Sequence, residues 1–172
     1  MPNQRVLIVL DGDNWAQPLR SSLRANRLQE FITFLAQGRQ VVDFLAYFTR
    51  VGEREQFYIN GFEGQLDAAG VRLVFLDPVE EQTKGGETRS RGYEDESIFE
   101  DIKTRAQDFD SLIIISGDAD FTILGIHLIL RYNKRIEVAT AVTASTSKYL
   151  LNMADTIHNI DSFIPVPTPS TA

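Results

Sequence analysis

Short, continuously apolar runs alternate along the chain with longer stretches whose apolar residues recur at helical spacing. Val6–Leu10 is a strand-sized run, closed by Asp11-Gly12-Asp13. A helical pattern follows over Leu19–Gln37, with Leu23, Phe31, Phe34 and Leu35 among its apolar positions and Gly38 as its stop. Val41–Arg50, rich in β-branched and aromatic residues, predicts a second strand, and Glu53–Ala69 a second helix ended by Gly70. Val71–Leu76 predicts strand three. Glu80–Gly92 is polar, holds Gly85-Gly86, and predicts a mobile loop. Tyr93–Phe109 predicts helix three, Leu112–Ile115 strand four, Phe121–Tyr132 helix four and Ile136–Ala141 strand five. Ser145–Ala154 predicts a short helix and Ile157–Ile164 an added edge strand.

Strands that are apolar throughout, each followed by a helix, need cover on both faces. The fold class expected is a three-layer α/β/α sandwich around a mainly parallel sheet of about five strands, one domain over residues 4–164. The Pro-containing stretch 165–172 predicts a disordered tail. In such folds chemistry collects at the carboxyl ends of the strands, where the strand order reverses.

Composition then removes whole classes of function. The 172 residues contain no cysteine, which excludes disulfide scaffolds, iron–sulfur clusters, Cys-based zinc sites and thiol nucleophiles. Two histidines, His127 and His158, are too few for a His-rich metal site. No Walker loop, Gly-x-Gly-x-x-Gly fingerprint or Gly-x-Ser-x-Gly elbow occurs. No apolar run approaches membrane-spanning length and nothing resembles a targeting segment, so the expected compartment is the cytoplasm, with no membrane partner.

The acidic residues fall where the fold would place chemistry. Strand one runs into Asp11-Gly12-Asp13-Asn14 and strand four into Ser116-Gly117-Asp118-Ala119-Asp120. On helix three, with Asp95 at zero, Phe99, Ile102 and Ala106 lie at about 40°, −20° and 20°, so Asp95 shares the apolar stripe at the first turn. An acid on a buried stripe is costly unless paired or metal-bound. Asp95 is expected to point toward Asp11 and Asp118. Carboxylates sharing a small volume stay ionised around a divalent cation, and an all-oxygen set suits Mg²⁺ or Mn²⁺. Such an ion activates water and neutralises a phosphoryl oxygen, the chemistry of phosphodiester hydrolysis. Plainer roles compete: Asp120 before Phe121 fits a helix N-cap, and Asp13 a turn. An EF-hand is excluded, since the twelfth position from Asp11 is Ser22. Asp11-Gly12-Asp13 also suggests the nucleophile loop of haloacid dehalogenase phosphatases, but Trp15 and Thr122 depart from that pattern.

Asp11-Gly12-Asp13-Asn14 together with Ile115-Ser116-Gly117-Asp118-Ala119-Asp120-Phe121 resembles the NYN domains, a branch of the PIN-like nuclease superfamily, and within them the LabA-like bacterial group. Asp95 and Asp101 match the family's pair of acids six residues apart, and Ser147, Leu150 and Ala154-Asp155 its closing pattern. The resemblance spans about residues 5–164 and implies a metal-dependent endoribonuclease acting on RNA. It implies Asp11, Asp95 and Asp118 as metal ligands, with Asp120 as a further ligand or an acid behind them. Asn14 would orient the scissile phosphate or a metal-bound water, and Ser116 would act similarly. The family commonly has Lys three residues before the acid matching Asp95; here that position is Gly92, so Arg91 or Lys84 would have to contact phosphate. LabA-like proteins are associated with regulation, so an RNA- or protein-binding regulator with weak or lost catalysis is the alternative.

Basic and aromatic residues offer substrate contacts. Arg50 ends strand two beside the acidic rim, Lys84, Arg89 and Arg91 lie in the polar loop, and Arg20, Arg24 and Arg27 share a helix face. Trp15, Tyr47, Phe48 and Tyr93 could stack on unpaired bases, although strand alternation sends Tyr47 and Phe48 to opposite faces. The net charge of −7 argues against nucleic acid as a bulk property. Removing the four negative charges of Asp11, Asp95, Asp118 and Asp120 from that −7 leaves −3, so part of the acidity belongs to one pocket. RNA remains the expected partner, with a protein partner or a homo-oligomer as further possibilities.

Overall fold

A computed structural model describes residues 4–14, 25–50, 62–78, 80–82, 88–90, 95–141 and 146–163. In chain order the elements are β1 (Arg5–Asp11), α1 (Ala25–Ala36), β2 (Gln40–Thr49), α2 (Phe62–Ala68), β3 (Arg72–Leu76), β4 (Glu80–Gln82) and β5 (Thr88–Ser90). They continue with α3 (Asp95–Thr104), β6 (Ser111–Ile115), α4 (Phe121–Tyr132), β7 (Arg135–Thr140), α5 (Lys148–Met153), β8 (Thr156–Asn159) and a 3-10 turn, Asp161–Phe163. The expected tail lies outside the described residues.

Six strands form one sheet in the order β3-β2-β1-β6-β7-β8, and every neighbouring pair is parallel. The sixth strand is β8, the edge strand foreseen after Ile157, shorter than the expected Ile157–Ile164. β1 is central, and Val6–Leu10 is fully buried because both faces are covered. Val6, Ile8 and Leu10 pack with Leu28, Phe31 and Leu35 of α1 and Leu66 of α2. Leu7 and Val9 pack with Ile98 and Ile102 of α3, Phe121, Leu124 and Leu128 of α4 and Leu150 of α5. The chain therefore winds outward from β1 on one face and from β6 on the other, which makes the β1/β6 junction the switch point.

Local chemistry explains the boundaries. α1 stops where Gln37 and Gly38 turn left-handed, and Gly38 adopts φ 76° without steric penalty. α4 ends at left-handed Asn133, where the Asn133 and Lys134 amides close back on the Ile129 and Leu128 carbonyls. The polar stretch expected as a loop contains an antiparallel pair, β4 with β5, in the register Glu81 to Arg89. Its short polar strands carry no apolar alternation. α3 ends at Thr104 and the chain turns before Phe109, five residues short of the expected helix end. No described helix is long and apolar enough to cross a membrane.

One buried polar group stands among the apolar residues of the α1 face. Glu137 of β7 accepts hydrogen bonds from both terminal nitrogens of Arg39 and pairs with His158 Nε2 at 2.7 Å. Arg39 also donates to the Leu35 and Ala36 carbonyls that end α1. The trio thus ties the end of α1 to β7 and β8. His158 is structural here, while His127 contacts the Tyr132 ring on α4.

Burial pushes the Glu137 carboxyl up, but the His158 and Arg39 hydrogen bonds outweigh it and hold the group at about 2, below its ordinary 4.5. A lowered folded-state value stabilises fully above 4.5 and is lost as pH falls from there toward 2. Glu137→Gln should cost stability at neutral pH. The gap to wild type in denaturant unfolding should narrow, by on the order of 3 kcal/mol, on going to about pH 2. A gap independent of pH would refute Glu137 as a charged partner of Arg39.

Candidate metal and phosphate site at the strand ends

Parallel pairing of β1 with β6, in register from Val6–Ser111 to Leu10–Ile115, ends the two strands side by side. The next residues are Asp11 and Ser116, both buried. Ser116 Oγ donates to Asp11 Oδ2 at 2.8 Å and accepts the Asp118 amide at 3.0 Å. Asn14 Nδ2 donates to the same Asp11 oxygen at 2.5 Å, and the Asn14 amide reaches Asp11 Oδ1 at 3.4 Å. Asp118, half-buried, accepts the Asp120 amide at 3.0 Å. The two acidic loops are thereby joined into one rim by a single hydroxyl.

The rim is held from both sides. Asp13 binds the Thr49 amide at 3.2 Å and the Thr49 hydroxyl, which clamps the first loop to the end of β2. The Ser147 amide donates to the Gly117 carbonyl at 2.9 Å, which brings the start of α5 to the second loop. Gly12 is required by close approach: a Cβ there would lie 2.4 Å from the Tyr47 carbonyl oxygen and 2.4 Å from the Phe48 ring.

Asp95 is the first residue of α3; the placement of its side chain lies outside the described residues. The helix begins at the strand-end edge, because one turn on, Phe99 meets Phe121 edge-to-face at 5.7 Å between ring centres. Phe121 opens α4 directly after Asp120. Ile98, Ile102 and Ala106 are buried and Phe99 is half-buried, as the stripe requires. Asp101 is engaged elsewhere: it accepts from the Tyr47 hydroxyl at 2.7 Å and from Arg105 Nε at 2.9 Å. Burial, followed by the bond to Asp101, pushes the Tyr47 phenol well up, so it remains a neutral donor.

The geometry places several of the residues expected to make contacts. Tyr47 and Phe48 are both core residues, one on each face of the sheet, and cannot stack on bases. Arg27 donates to the Ser162 carbonyl and lies over the Phe163 ring, so it pins the 3-10 turn. Arg50 stands at the end of β2, beside β1, with its guanidinium 3.0 Å from Asp77. Asp120 makes no side-chain cap bond; the carboxylate that takes an amide at this turn is Asp118. Ser116 is fully buried with its hydroxyl committed to both acidic loops, which makes it a positioning residue. Of the closing pattern, Leu150 is core and Asp155 caps the Ile136 amide at 2.8 Å. Trp15, Arg20, Arg24, Lys84, Arg91 and Tyr93 lie outside the described residues, and Arg89 is on β5. Sequence reading missed the Thr49, Tyr47 and Ser147 contacts, since each joins segments far apart in the chain.

Among the described residues no three His, Asp or Glu side chains gather closely enough to hold a metal. Asp11 and Asp118 carry hard oxygen donors on two loops joined by Ser116, a chemistry that suits Mg²⁺ or Mn²⁺ and to which an acid from the first turn of α3 would add.

The NYN domain family matches residues 5–161. No functionally curated protein matches the chain. Among solved structures, VPA0982 from Vibrio parahaemolyticus RIMD 2210633, a protein of unknown function, is 27% identical. The similarity covers 95% of this chain and 98% of that one, with a TM-score of 0.74. MurG from Acinetobacter baumannii is 16% identical over 95% of this chain and 43% of its own, with a TM-score of 0.44.

Ser116→Ala takes the acceptor from the Asp118 amide and one of the donors from Asp11 Oδ2, which keeps Asn14, and should cost about 1–3 kcal/mol in denaturant unfolding. Gly12→Ala forces backbone apart at the β1–β2 edge and should cost about 1–3 kcal/mol as well. If both variants unfold at the wild-type midpoint, the rim is not built as described.

Proposed function

Because the chain belongs to the NYN domain family, we propose that it is a metal-dependent endoribonuclease of the LabA-like kind, hydrolysing RNA phosphodiester bonds at the β1/β6 strand ends. The observation that carries the reading is the Ser116 hydroxyl, which donates to the buried Asp11 carboxylate and accepts the Asp118 amide, so that two acidic loops meet at the switch point of a parallel sheet. Asp11, Asp118 and Asp95 would hold the ion, with Asp120 as an acid behind them. Mg²⁺ or Mn²⁺, when bound, would activate water and neutralise a phosphoryl oxygen. Asn14, anchored on Asp11, is exposed and can orient the scissile phosphate. Ser116 would tie the two acidic loops together through the Asp11 carboxylate and the Asp118 amide. Arg50, Lys84 and Arg91 would guide the RNA backbone, and the chain would work in the cytoplasm.

A second reading is a catalytically weak or inactive RNA- or protein-binding regulator. It draws support from the engagement of Arg50 by Asp77 and the burial of Tyr47 and Phe48, which reduce the substrate contacts at the rim. The two readings separate in one assay. With Mn²⁺, the purified protein should cut labelled single-stranded RNA, and chelation should stop it. Asp118→Asn should lower the rate by at least about a hundredfold while leaving the fold intact. Equal cleavage by Asp118→Asn overturns the nuclease assignment; metal and RNA binding without cleavage by wild type selects the regulator. An aspartyl-phosphate trapped on Asp11 would point instead to phosphatase chemistry.

A further inference from the structure

α4 is apolar on two sides. Phe121, Leu124 and Leu128 face the sheet, yet the opposite stripe carries Ile123, Ile126 and Leu130, exposed at 68%, 46% and 77%. With Ile123 at zero, Ile126 and Leu130 fall at about −60° and −20°, one contiguous line along the helix. An ordinary surface helix keeps charge on that side. Tyr149, 75% exposed, lies on α5, which packs beside the first half of α4. There the Met153 sulfur lies against Gly125 and the Ser147 amide binds the Gly117 carbonyl.

We infer that this face is the interface of a two-fold symmetric homodimer, formed by antiparallel packing of α4 against α4 of a second copy. Three features select a second copy as the occupant. The four side chains expose on the order of 450 Å² of apolar surface, near the apolar share of the roughly 800 Å² that each partner buries in a standard interface. The line is self-complementary, since a two-fold axis beside Ile126 sets Ile123 of each copy against Leu130 of the other. The charges at the helix ends are opposite: exposed Asp120 precedes the stripe and exposed Arg131 follows it. Antiparallel packing therefore brings Arg131 of the second copy to the acidic rim, and parallel packing would oppose like charges.

Sedimentation equilibrium of the full chain over about 1–100 μM tests this. The expected mass is twice 19.4 kDa. Leu130→Glu and, separately, Ile123→Ser should give 19.4 kDa with unchanged far-UV circular dichroism, both positions being exposed in one copy, and a melting temperature that no longer depends on concentration. Arg131→Glu should weaken the dimer about tenfold and remove its salt dependence. Ile157→Ser, on the edge strand β8 outside the line, should leave the dimer intact. A 19.4 kDa species at every concentration overturns the proposal, and with it the stripe would belong to a different partner or to residues 165–172. A dimer that survives both Leu130→Glu and Ile123→Ser also overturns it.

Discussion

A carboxylate at the end of a fully buried strand is the constraint around which the rest is arranged. Asp11 is only 3% exposed, and a charge in that position must be answered by donors or a cation. Asn14 answers from its own loop and Ser116 from the neighbouring strand. The second answer is available only if β6 lies beside β1, parallel and in register to the last residue. Sheet order, strand register and rim geometry are in this sense one requirement. The same hydroxyl then accepts the Asp118 amide, so the position of the second acid follows from the solvation of the first.

The supporting contacts keep that requirement from being met loosely. Thr49 holds the first loop through Asp13, and Gly117 is held by the Ser147 amide. Tyr47 reaches from β2 to Asp101 and fixes α3 about two turns below Asp95. Arg105 joins Asp101 and Asp43, and Arg72 joins Asp43 from β3. These are partly buried ion pairs, whose worth in stability is modest, but they register the helix against the sheet. At the opposite end of the sheet Arg39, Glu137 and His158 do the same for α1.

How much of this the sequence discloses depends on the range of the interaction. Asp11, Ser116 and Asp118 are legible because each directly follows an unbroken apolar run, and a run of that kind in a parallel sheet ends where ligands bind. The stripe on α3 is legible for the same local reason, the helical period. Tyr47–Asp101 and Arg39–Glu137 are not, since the partners stand 54 and 98 positions apart and each residue alone looks like an ordinary strand or turn residue. The β4–β5 pair was invisible because polar residues on both faces leave no alternation to read. Assigning Tyr47 and Phe48 to stacking failed because alternation tells which face a side chain takes, and in a doubly covered sheet both faces are core.

That same double covering accounts for what is unusual about α4. A helix over a buried sheet needs one apolar stripe, and Phe121, Leu124 and Leu128 supply it. A second stripe adds nothing to the monomer: Ile123 and Leu130 stay mostly in water whether or not the helix docks. Their cost is solubility, which the excess of acids in the chain works to offset. The helix that bears them also follows directly on Asp120, so whatever covers the stripe sits beside the acidic rim. If the cover is a second copy, each rim gains a cation that its own chain does not place there. The acidity of the monomer is then a poor guide to the field an RNA would meet.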